Sequence, residues 1–153
     1  MRGYFGIGIY NGKTIFNIGT LWRSAYIFGA SFIFTIDKRY QKQASDTTKT
    51  WRHVPLFNYI GFADFYDHVP YNCQIINIEK TGHAISLKEF QHPQRAIYLL
   101  GSEDRGLPQE LLCKYKTVYI PSEKPFSLNV ATAGTLVLYD RFIKAGREII
   151  QTK

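Results

Sequence analysis

Short apolar runs alternate with polar turns along most of the chain, and each run has the length of a single strand. Runs that stay apolar at consecutive positions are typical of strands buried on both faces of a parallel sheet. The predicted strands lie at residues 4–10, 31–36, 56–60, 74–78, 96–100 and 118–120. Because helical patterns lie between several of them, the sequence predicts an α/β fold with a mostly parallel sheet flanked by helices.

Apolar residues at helical spacing predict two longer helices. The first begins near Asn17, a candidate N-cap, and ends at Gly29. The second runs from Leu128 to about Ala145, after a candidate N-cap at Ser127. The predicted buried stripes are Ile18, Leu21, Ala25 and Phe28 in the first helix and Ala131, Gly134, Leu138 and Phe142 in the second.

Shorter helical segments are predicted at residues 64–68 and 108–116, with a brief helical turn at residues 86–90. The small residues Ala131, Ala133 and Gly134 allow another backbone to come close to the last helix. That backbone belongs either to the same subunit or to a neighbouring one.

Two turn-rich loops follow predicted strands near the end of the chain. The first, residues 101–106, has a glycine at each end, where backbone can approach a ligand closely. The second, residues 121–125, contains two prolines and therefore cannot be regular structure. Open α/β sheets bind ligands at the carboxyl ends of their strands, so these two loops are the predicted ligand site.

Composition narrows the class of partner. The chain has 153 residues, 45% of them hydrophobic, which predicts one domain over residues 1–153. With 19 Lys and Arg against 12 Asp and Glu, the net charge is +7, which favours a polyanionic partner such as nucleic acid. The alternative is a basic protein without such a partner, and the charge does not separate the two.

Several classes of site are not indicated. Cys73 and Cys113 are too few and too far apart for a disulfide framework, and the four histidines lack the spacing of metal ligands. No metal site is therefore predicted. The longest apolar run, residues 26–36, is shorter than the roughly 20 residues of a membrane helix. We expect a soluble cytoplasmic protein that does not enter a membrane.

A polar and basic segment covers residues 37–53. Its cations form a candidate phosphate-contact patch on an RNA surface, and the alternative is a solvated connecting loop. The candidate RNA-binding residues are Lys38, Arg39, Lys42, Lys49 and Arg52.

Three segments, in order along the chain, resemble the motifs of one enzyme family. They are Asn17-Ile-Gly-Thr-Leu-Trp-Arg23, Gly101-Ser-Glu-Asp-Arg-Gly106 and Ile120-Pro121 followed by Ser127-Leu-Asn-Val130. This set resembles the SpoU/TrmH branch of the SPOUT RNA methyltransferases. The resemblance implies an S-adenosyl-L-methionine-dependent RNA 2′-O-ribose methyltransferase, a C-terminal trefoil knot and a homodimer.

The resemblance also implies roles for single residues. Arg23, which alone would be taken for a surface arginine, would hold a phosphate and stabilise the developing alkoxide, with Asn17 bracing it. Ser127 and Asn129 would lie close to the reacting groups, and Glu103 would tie the first loop in place. The residues implied to contact the cofactor are Glu79, Leu100, Gly101, Ile120, Ser127 and Leu128.

The sequence shows no additional RNA-binding domain beside these motifs, which favours tRNA over rRNA as the substrate. The alternative to an enzyme is a non-catalytic RNA-binding module on the same fold.

Overall fold

The structure, a computed structural model, describes residues 3–39 and 49–146. Its strands form one seven-stranded sheet in the order β3-β2-β1-β6-β4-β7-β5, and every pairing between these strands is parallel. The strands are β1 (Tyr4–Tyr10), β2 (Phe32–Ile36), β3 (Leu56–Tyr59), β4 (Gln74–Ile78), β5 (Ile85–Ser86), β6 (Arg95–Gly101) and β7 (Lys116–Tyr119). The helices are α1 (Ile15–Ile27), α2 (Phe62–Asp67), α3 (Gln109–Lys114) and α4 (Val130–Lys144), with a 3₁₀ turn at Lys49–Arg52. The predicted α/β class with a mostly parallel sheet is confirmed.

The core has two layers, one on each face of the sheet, and β6 supplies side chains to both. Tyr98 and Leu100 belong to the layer that packs with α1 and α4. Ile97 and Leu99 point the other way, into the layer that contains the buried residues of α2 and α3. Successive side chains of a strand alternate between faces, so a fully apolar strand has to be covered on both.

Both long helices begin at residues other than those predicted. The Thr14 hydroxyl accepts a hydrogen bond from the Phe16 amide at 3.3 Å, so α1 begins at Ile15 and Asn17 is not its N-cap. The Asn129 side chain accepts from the Thr132 amide at 3.2 Å and caps α4, which therefore starts after Ser127 and Leu128. Several residue types accept this bond equally well, so sequence spacing alone could not choose among them.

Two further boundaries differ. α3 ends at Lys114 because Tyr115 is extended, and Lys116 is already the first residue of β7. The predicted turn at residues 86–90 is present, closed by hydrogen bonds from the Glu89 and Phe90 amides. Ser86, however, also pairs with Tyr119 as the last residue of β5. The rest of the predicted strands agree with the structure to within about two residues.

Gly134 sets the close approach of α4 to the sheet. A Cβ at this position would meet the Leu21 side chain of α1 at 2.5 Å and the Leu100 side chain of β6 at 2.9 Å. The close contact lies within the subunit and is made with side chains, not with the backbone that the sequence predicted. It places the second turn of α4 directly against α1 and the end of β6.

The far end of α4 is fixed by charged hydrogen bonds to the segment before β6. Arg141, only 8% exposed, donates to the carbonyls of Pro93 and Gln94 and to the Tyr98 hydroxyl. Lys144 donates to carbonyls in the turn that follows β5. Phe142, a member of the predicted buried stripe, is only partly buried. Arg141 is buried instead, because carbonyl groups accept the hydrogen bonds of its guanidinium.

Candidate active site

A pocket opens at the carboxyl edge of the sheet, where three neighbouring strands end. Its walls are the residues that follow β4, β6 and β7, together with the first turn of α4. The lining residues include all six predicted cofactor contacts, Glu79, Leu100, Gly101, Ile120, Ser127 and Leu128. Parallel strands end on the same side, which is why residues more than forty positions apart in the sequence meet here.

The loop after β6 turns back tightly on the strand that precedes it. Ser102 and Gly106 form an antiparallel bridge, and Gly106 has a φ of +62°, which favours glycine. A Cβ at Gly101 would overlap the main chain of Gly106 and lie 2.6 Å from the Leu107 amide nitrogen. Only glycine fits at Gly101 without a shift of this loop. At Gly101 and Gly106 the wall of the pocket is therefore main chain, and side chains form the rest of the wall.

Glu79 braces the same loop from the end of β4. Its carboxylate accepts a hydrogen bond from the Leu107 amide at 2.7 Å and also packs against Gly106. Burial raises the pKa of this carboxyl, and the bond from Leu107 offsets part of that rise. Glu79 thus lines the pocket and fixes its wall at the same time.

A chain of hydrogen bonds joins one residue from each of the three motifs. The Asn17 side-chain amide donates to Glu103, and its oxygen accepts from the Asn129 amide at 3.0 Å. Asn17 is buried although it lies on the third position of α1, and Glu103 lines the pocket. The hydrogen bonds of Asn17 go to Glu103 and Asn129 rather than to Arg23, so the bracing of Arg23 by Asn17 and the tying role of Glu103 stay predictions. Their part in catalysis stays a prediction.

An ion pair holds the outer side of the loop after β6. Arg39 donates two hydrogen bonds to the Asp104 carboxylate, at 2.9 and 3.3 Å, and a third to the Asn11 carbonyl at 3.1 Å. The Arg39 guanidinium holds the pKa of Asp104 well below its usual range. Arg39, a candidate RNA contact, thus also links the segment after β2 to the pocket loop.

Arg23 lies outside this arrangement in its own chain. It is exposed on α1, six residues after Asn17, and is not among the residues that line the pocket. Its neighbour Ser24 shares a hydrogen bond of 2.7 Å with Thr135 of α4, which fixes this part of α1. Ser127, in contrast, is exposed on the pocket rim.

The candidate phosphate contacts are only partly within the described residues. Lys38 is partly buried and Arg52 is exposed, whereas Lys42 and the side chain of Lys49 lie outside the described part. Whether these cations form one patch therefore stays a prediction.

Lys80 and Phe126 line the pocket but were not among the predicted site residues or loops. Phe126 is 81% exposed, although it is a large apolar side chain beside the third motif. Its position next to Ser127 was the available signal. Asp104 was also missed, because nothing in the sequence pairs it with Arg39.

Membrane-spanning helices and metal sites are two further classes of feature. No helix among residues 3–39 and 49–146 is long and apolar enough to cross a bilayer. In the same residues, no group of three or more His, Cys, Asp or Glu side chains is placed to hold a metal ion.

Comparison with known proteins places these motifs in context. A mouse protein, tRNA (guanosine(18)-2'-O)-methyltransferase TARBP1, is 26% identical over 137 residues, which are 81% of this chain. The chain spans only 8% of the length of that relative.

Solved structures show the same fold. One, described as giving structural insights into the 2-OH methylation of C/U34 on tRNA, has a TM-score of 0.83 and 27% identity, with 96% of this chain and 100% of that chain covered. The SpoU methyltransferase AviRb from Streptomyces viridochromogenes, in complex with the cofactor AdoMet, has a TM-score of 0.77 at 23% identity. The alignment covers 95% of this chain and 59% of that one.

A family model matches most of the chain. The SpoU rRNA Methylase family matches residues 5–139, a range that contains all three motifs and the whole lining of the pocket. The chain belongs to the SpoU rRNA Methylase family, within the SpoU/TrmH branch of the SPOUT RNA methyltransferases.

Proposed function

We propose that this protein transfers a methyl group from S-adenosyl-L-methionine to a ribose 2′-oxygen of RNA, with tRNA preferred to rRNA. We place it in the cytoplasm. We propose further that residues 1–153 form one methyltransferase domain with a C-terminal trefoil knot, which acts as a homodimer.

The observation that carries the proposal is the chain of hydrogen bonds among Asn17, Glu103 and Asn129 beside the pocket. These residues come from three segments that are far apart in the sequence. Such a convergence of polar groups is not an efficient way to stabilise a fold, because each buried amide costs free energy unless all of its polar atoms have partners. Polar groups that converge beside a pocket are the usual mark of a ligand site.

The pocket suits an adenosine sulfonium compound. Apolar side chains of Leu100, Ile120 and Leu128 line it, and the folded loop at Gly101 exposes main-chain donors and acceptors. Main-chain groups recognise an adenine edge, and the apolar residues match the faces of the ring. We propose that Leu100, Gly101, Ile120 and Leu128 hold the adenosine part, with Glu79 and Ser127 as further contacts. When bound, this cofactor supplies an electrophilic methyl group.

The protein's own contribution is to position the acceptor sugar and to stabilise its oxygen as the proton leaves. Arginine keeps its charge at any ordinary pH, so Arg23 serves better as an electrostatic partner for the phosphate and the alkoxide than as a base. Asn17, Glu103 and Asn129 hold the three motifs together, and Ser127 presents a hydroxyl at the rim of the pocket. Fixed alignment of this kind can lower a barrier by about 7–11 kcal/mol in ideal cases.

Arg23 requires a second copy of the chain in this scheme. It does not line its own pocket, and the neighbouring surface of α1 and α4 exposes large apolar side chains. These are Tyr26, Ile27, Leu136, Tyr139 and Ile143. Such a surface is suited to an isologous dimer, in which Arg23 of one subunit serves the pocket of the other.

The preference for tRNA is supported by relatives. The mouse relative is named as a tRNA methyltransferase, and the similar structure at 27% identity concerns methylation on tRNA. The net charge of +7 suits either RNA.

The test is transfer of labelled methyl from S-adenosyl-L-methionine to total tRNA and to rRNA, followed by nucleoside analysis. We expect label on 2′-O-methylated nucleosides of tRNA for the wild type and a near-complete loss for Arg23→Ala. RNA binding without label and without cofactor binding would favour the non-catalytic module. Label on a base nitrogen would refute ribose as the acceptor.

A further inference from the structure

A groove lies at the amino edge of the sheet, opposite the pocket. We call it the tyrosine groove and define it by Tyr66, Tyr71, Lys114, Tyr115 and Lys116. It is formed by residues at the end of α2, the turn before β4 and the junction of α3 with β7. We propose that the tyrosine groove binds a single-stranded segment of RNA, as a second contact away from the pocket.

The tyrosine groove presents an aromatic ring on a rigid support. Tyr71 is 91% exposed, yet its backbone lies in a turn closed by a hydrogen bond from the Cys73 amide to the Pro70 carbonyl at 3.1 Å. Asn72, the third residue of this turn, has a φ of +60°, as turns of types II and I′ require at that position. The Tyr71 carbonyl accepts from Arg95 at 2.9 Å. The main chain that carries the Tyr71 ring is thus fixed, and the exposed ring is open to a flat partner from solvent.

The two other rings flank a lysine. The Lys114 ammonium lies 5.4 Å from the centre of the Tyr66 ring and 5.5 Å from that of Tyr115, within cation–π distance. This geometry leaves the Lys114 charge between two aromatic faces, with a second exposed cation at Lys116. Among the described residues, no carboxylate lines the groove.

This combination fits the chemistry of unpaired nucleotides. An unpaired base can stack on the exposed Tyr71 ring, and backbone phosphates can pair with Lys114 and Lys116. A protein partner is the less favoured occupant, because two exposed lysines, a residue type depleted at protein–protein interfaces, line the groove beside its apolar residues Val69, Pro70 and Ile75. The groove also lacks the deep enclosure typical of a small-molecule site.

The position of the groove relative to the pocket is set by β6. Gly101 at the end of β6 lines the pocket, and Arg95 at its start supports Tyr71. Seven strand residues span about 20 Å, so at least about six nucleotides at roughly 3.4 Å each separate the two edges, and more are needed where the RNA follows the protein surface. One RNA molecule can therefore contact both edges. The inference uses the substrate class of the proposed function, but its test does not depend on methyl transfer.

The first experiment is binding of a fluorescent single-stranded oligouridylate of about twelve nucleotides, measured by anisotropy at several salt concentrations with the full chain. We expect Tyr71→Ala to weaken binding by about 5- to 100-fold, because one stacked base is lost. Tyr71→Phe should bind like the wild type, since it keeps the ring.

The lysines are tested through salt dependence. Lys114→Gln with Lys116→Gln should reduce the slope of log K against log salt by about 1.4, from two phosphate contacts of roughly 0.7 each on a single strand. Lys88→Gln is the matched control, an exposed lysine outside the groove, and should leave the slope unchanged. A groove double variant whose affinity and slope equal those of the control would overturn the proposal, as would wild-type affinity in Tyr71→Ala.

A second measurement does not depend on how the variants fold. Wild-type protein is crosslinked to 4-thiouridine-containing tRNA, and the modified peptides are mapped. Adducts on the peptides of the tyrosine groove support the proposal, and adducts confined to other peptides overturn it. A wild type that binds RNA through Tyr71 but methylates none would support the groove while refuting the proposed function, so the two failures are distinguishable.

Discussion

The carboxyl edge of the sheet holds a pocket whose wall includes the main chain of a tight glycine loop, whereas the amino edge holds a groove lined by tyrosine, lysine and a few apolar side chains. At the carboxyl edge, Gly101 is required because its neighbour's backbone fills the space of a side chain. At the amino edge, large side chains such as Tyr71 are exposed. A main-chain wall recognises a ligand of fixed shape, while aromatic and cationic side chains tolerate many sequences. The two edges of one sheet thus suit a single cofactor and a variable polymer.

The largest expected effect separates chemistry from RNA binding. Arg23→Ala should reduce the methyl transfer rate on the order of 100- to 1,000-fold, because it removes a charge that stabilises the alkoxide. Binding of the oligouridylate should fall far less, because Arg23 is only one of several proposed phosphate contacts. Steady-state kinetics and anisotropy on the same preparation check both parts.

The proposed exchange of Arg23 between subunits has its own test. Mixed dimers are formed from Arg23→Ala and Gly101→Ala chains, each inactive alone at low cofactor concentration. If Arg23 acts across the dimer, about one quarter of the wild-type activity returns, because half of the dimers are mixed and each has one complete site. An arginine that acts within its own chain would give no recovery.

The next effect concerns the wall of the pocket. Gly101→Ala should weaken cofactor binding by about 10- to 100-fold, because the loop after β6 has to shift. Gly82→Ala is the matched control, since a Cβ there would meet no described atom within 4 Å. Isothermal titration with S-adenosyl-L-methionine measures the difference. Equal affinities for the two variants would show that the main-chain wall does not matter.

A smaller effect is expected in the hydrogen-bond chain beside the pocket. Asn17→Asp replaces the donor to Glu103 with a second carboxylate, at an expected cost of about 1 to 3 kcal/mol of unfolding free energy. Two ionised carboxylates this close repel each other in the folded state, whereas a protonated carboxyl can still donate a hydrogen bond to the other. The penalty should therefore be absent below about pH 4 and grow as pH rises.

Adding Glu103→Gln to that variant restores a donor and should recover most of the loss. Thermal unfolding from pH 4 to pH 8 checks both variants. A loss that does not depend on pH, or that the second substitution does not relieve, would contradict the contact seen between Asn17 and Glu103.

The smallest effect concerns Glu79. Burial raises its pKa in the folded state, so its carboxyl favours folding at low pH, and this contribution is lost as pH rises through the folded-state value. Glu79→Gln keeps an acceptor for the Leu107 amide but cannot ionise. Its stability should vary less with pH just above the ordinary glutamate value of about 4.3 than that of the wild type. Parallel thermal melts measure this, and identical pH profiles would contradict it.

Much of the fold was predictable because the central strands are apolar on both faces, whereas the two-residue edge strand β5 was not predicted. The predicted strands at residues 74–78 and 96–100 agree with β4 and β6. The helix starts were not predictable, since Thr14 and Asn129 cap helices that Asn17 and Ser127 would have capped as well by spacing. Likewise, nothing in the local pattern could show that Arg141 would be buried, because the carbonyls that accept its hydrogen bonds come from another part of the chain.

The sequence by itself determined the apolar strands, the glycine loops at their ends and the three motif segments, because periodicity and backbone conformation are local properties. Tertiary structure alone decided that Asn17 contacts Glu103 and Asn129, that Arg39 pairs with Asp104, and that three tyrosines meet at the opposite edge. Those contacts depend on the order of strands in the sheet. That order is set by how the two layers of helices cover it, which no single segment of the chain specifies.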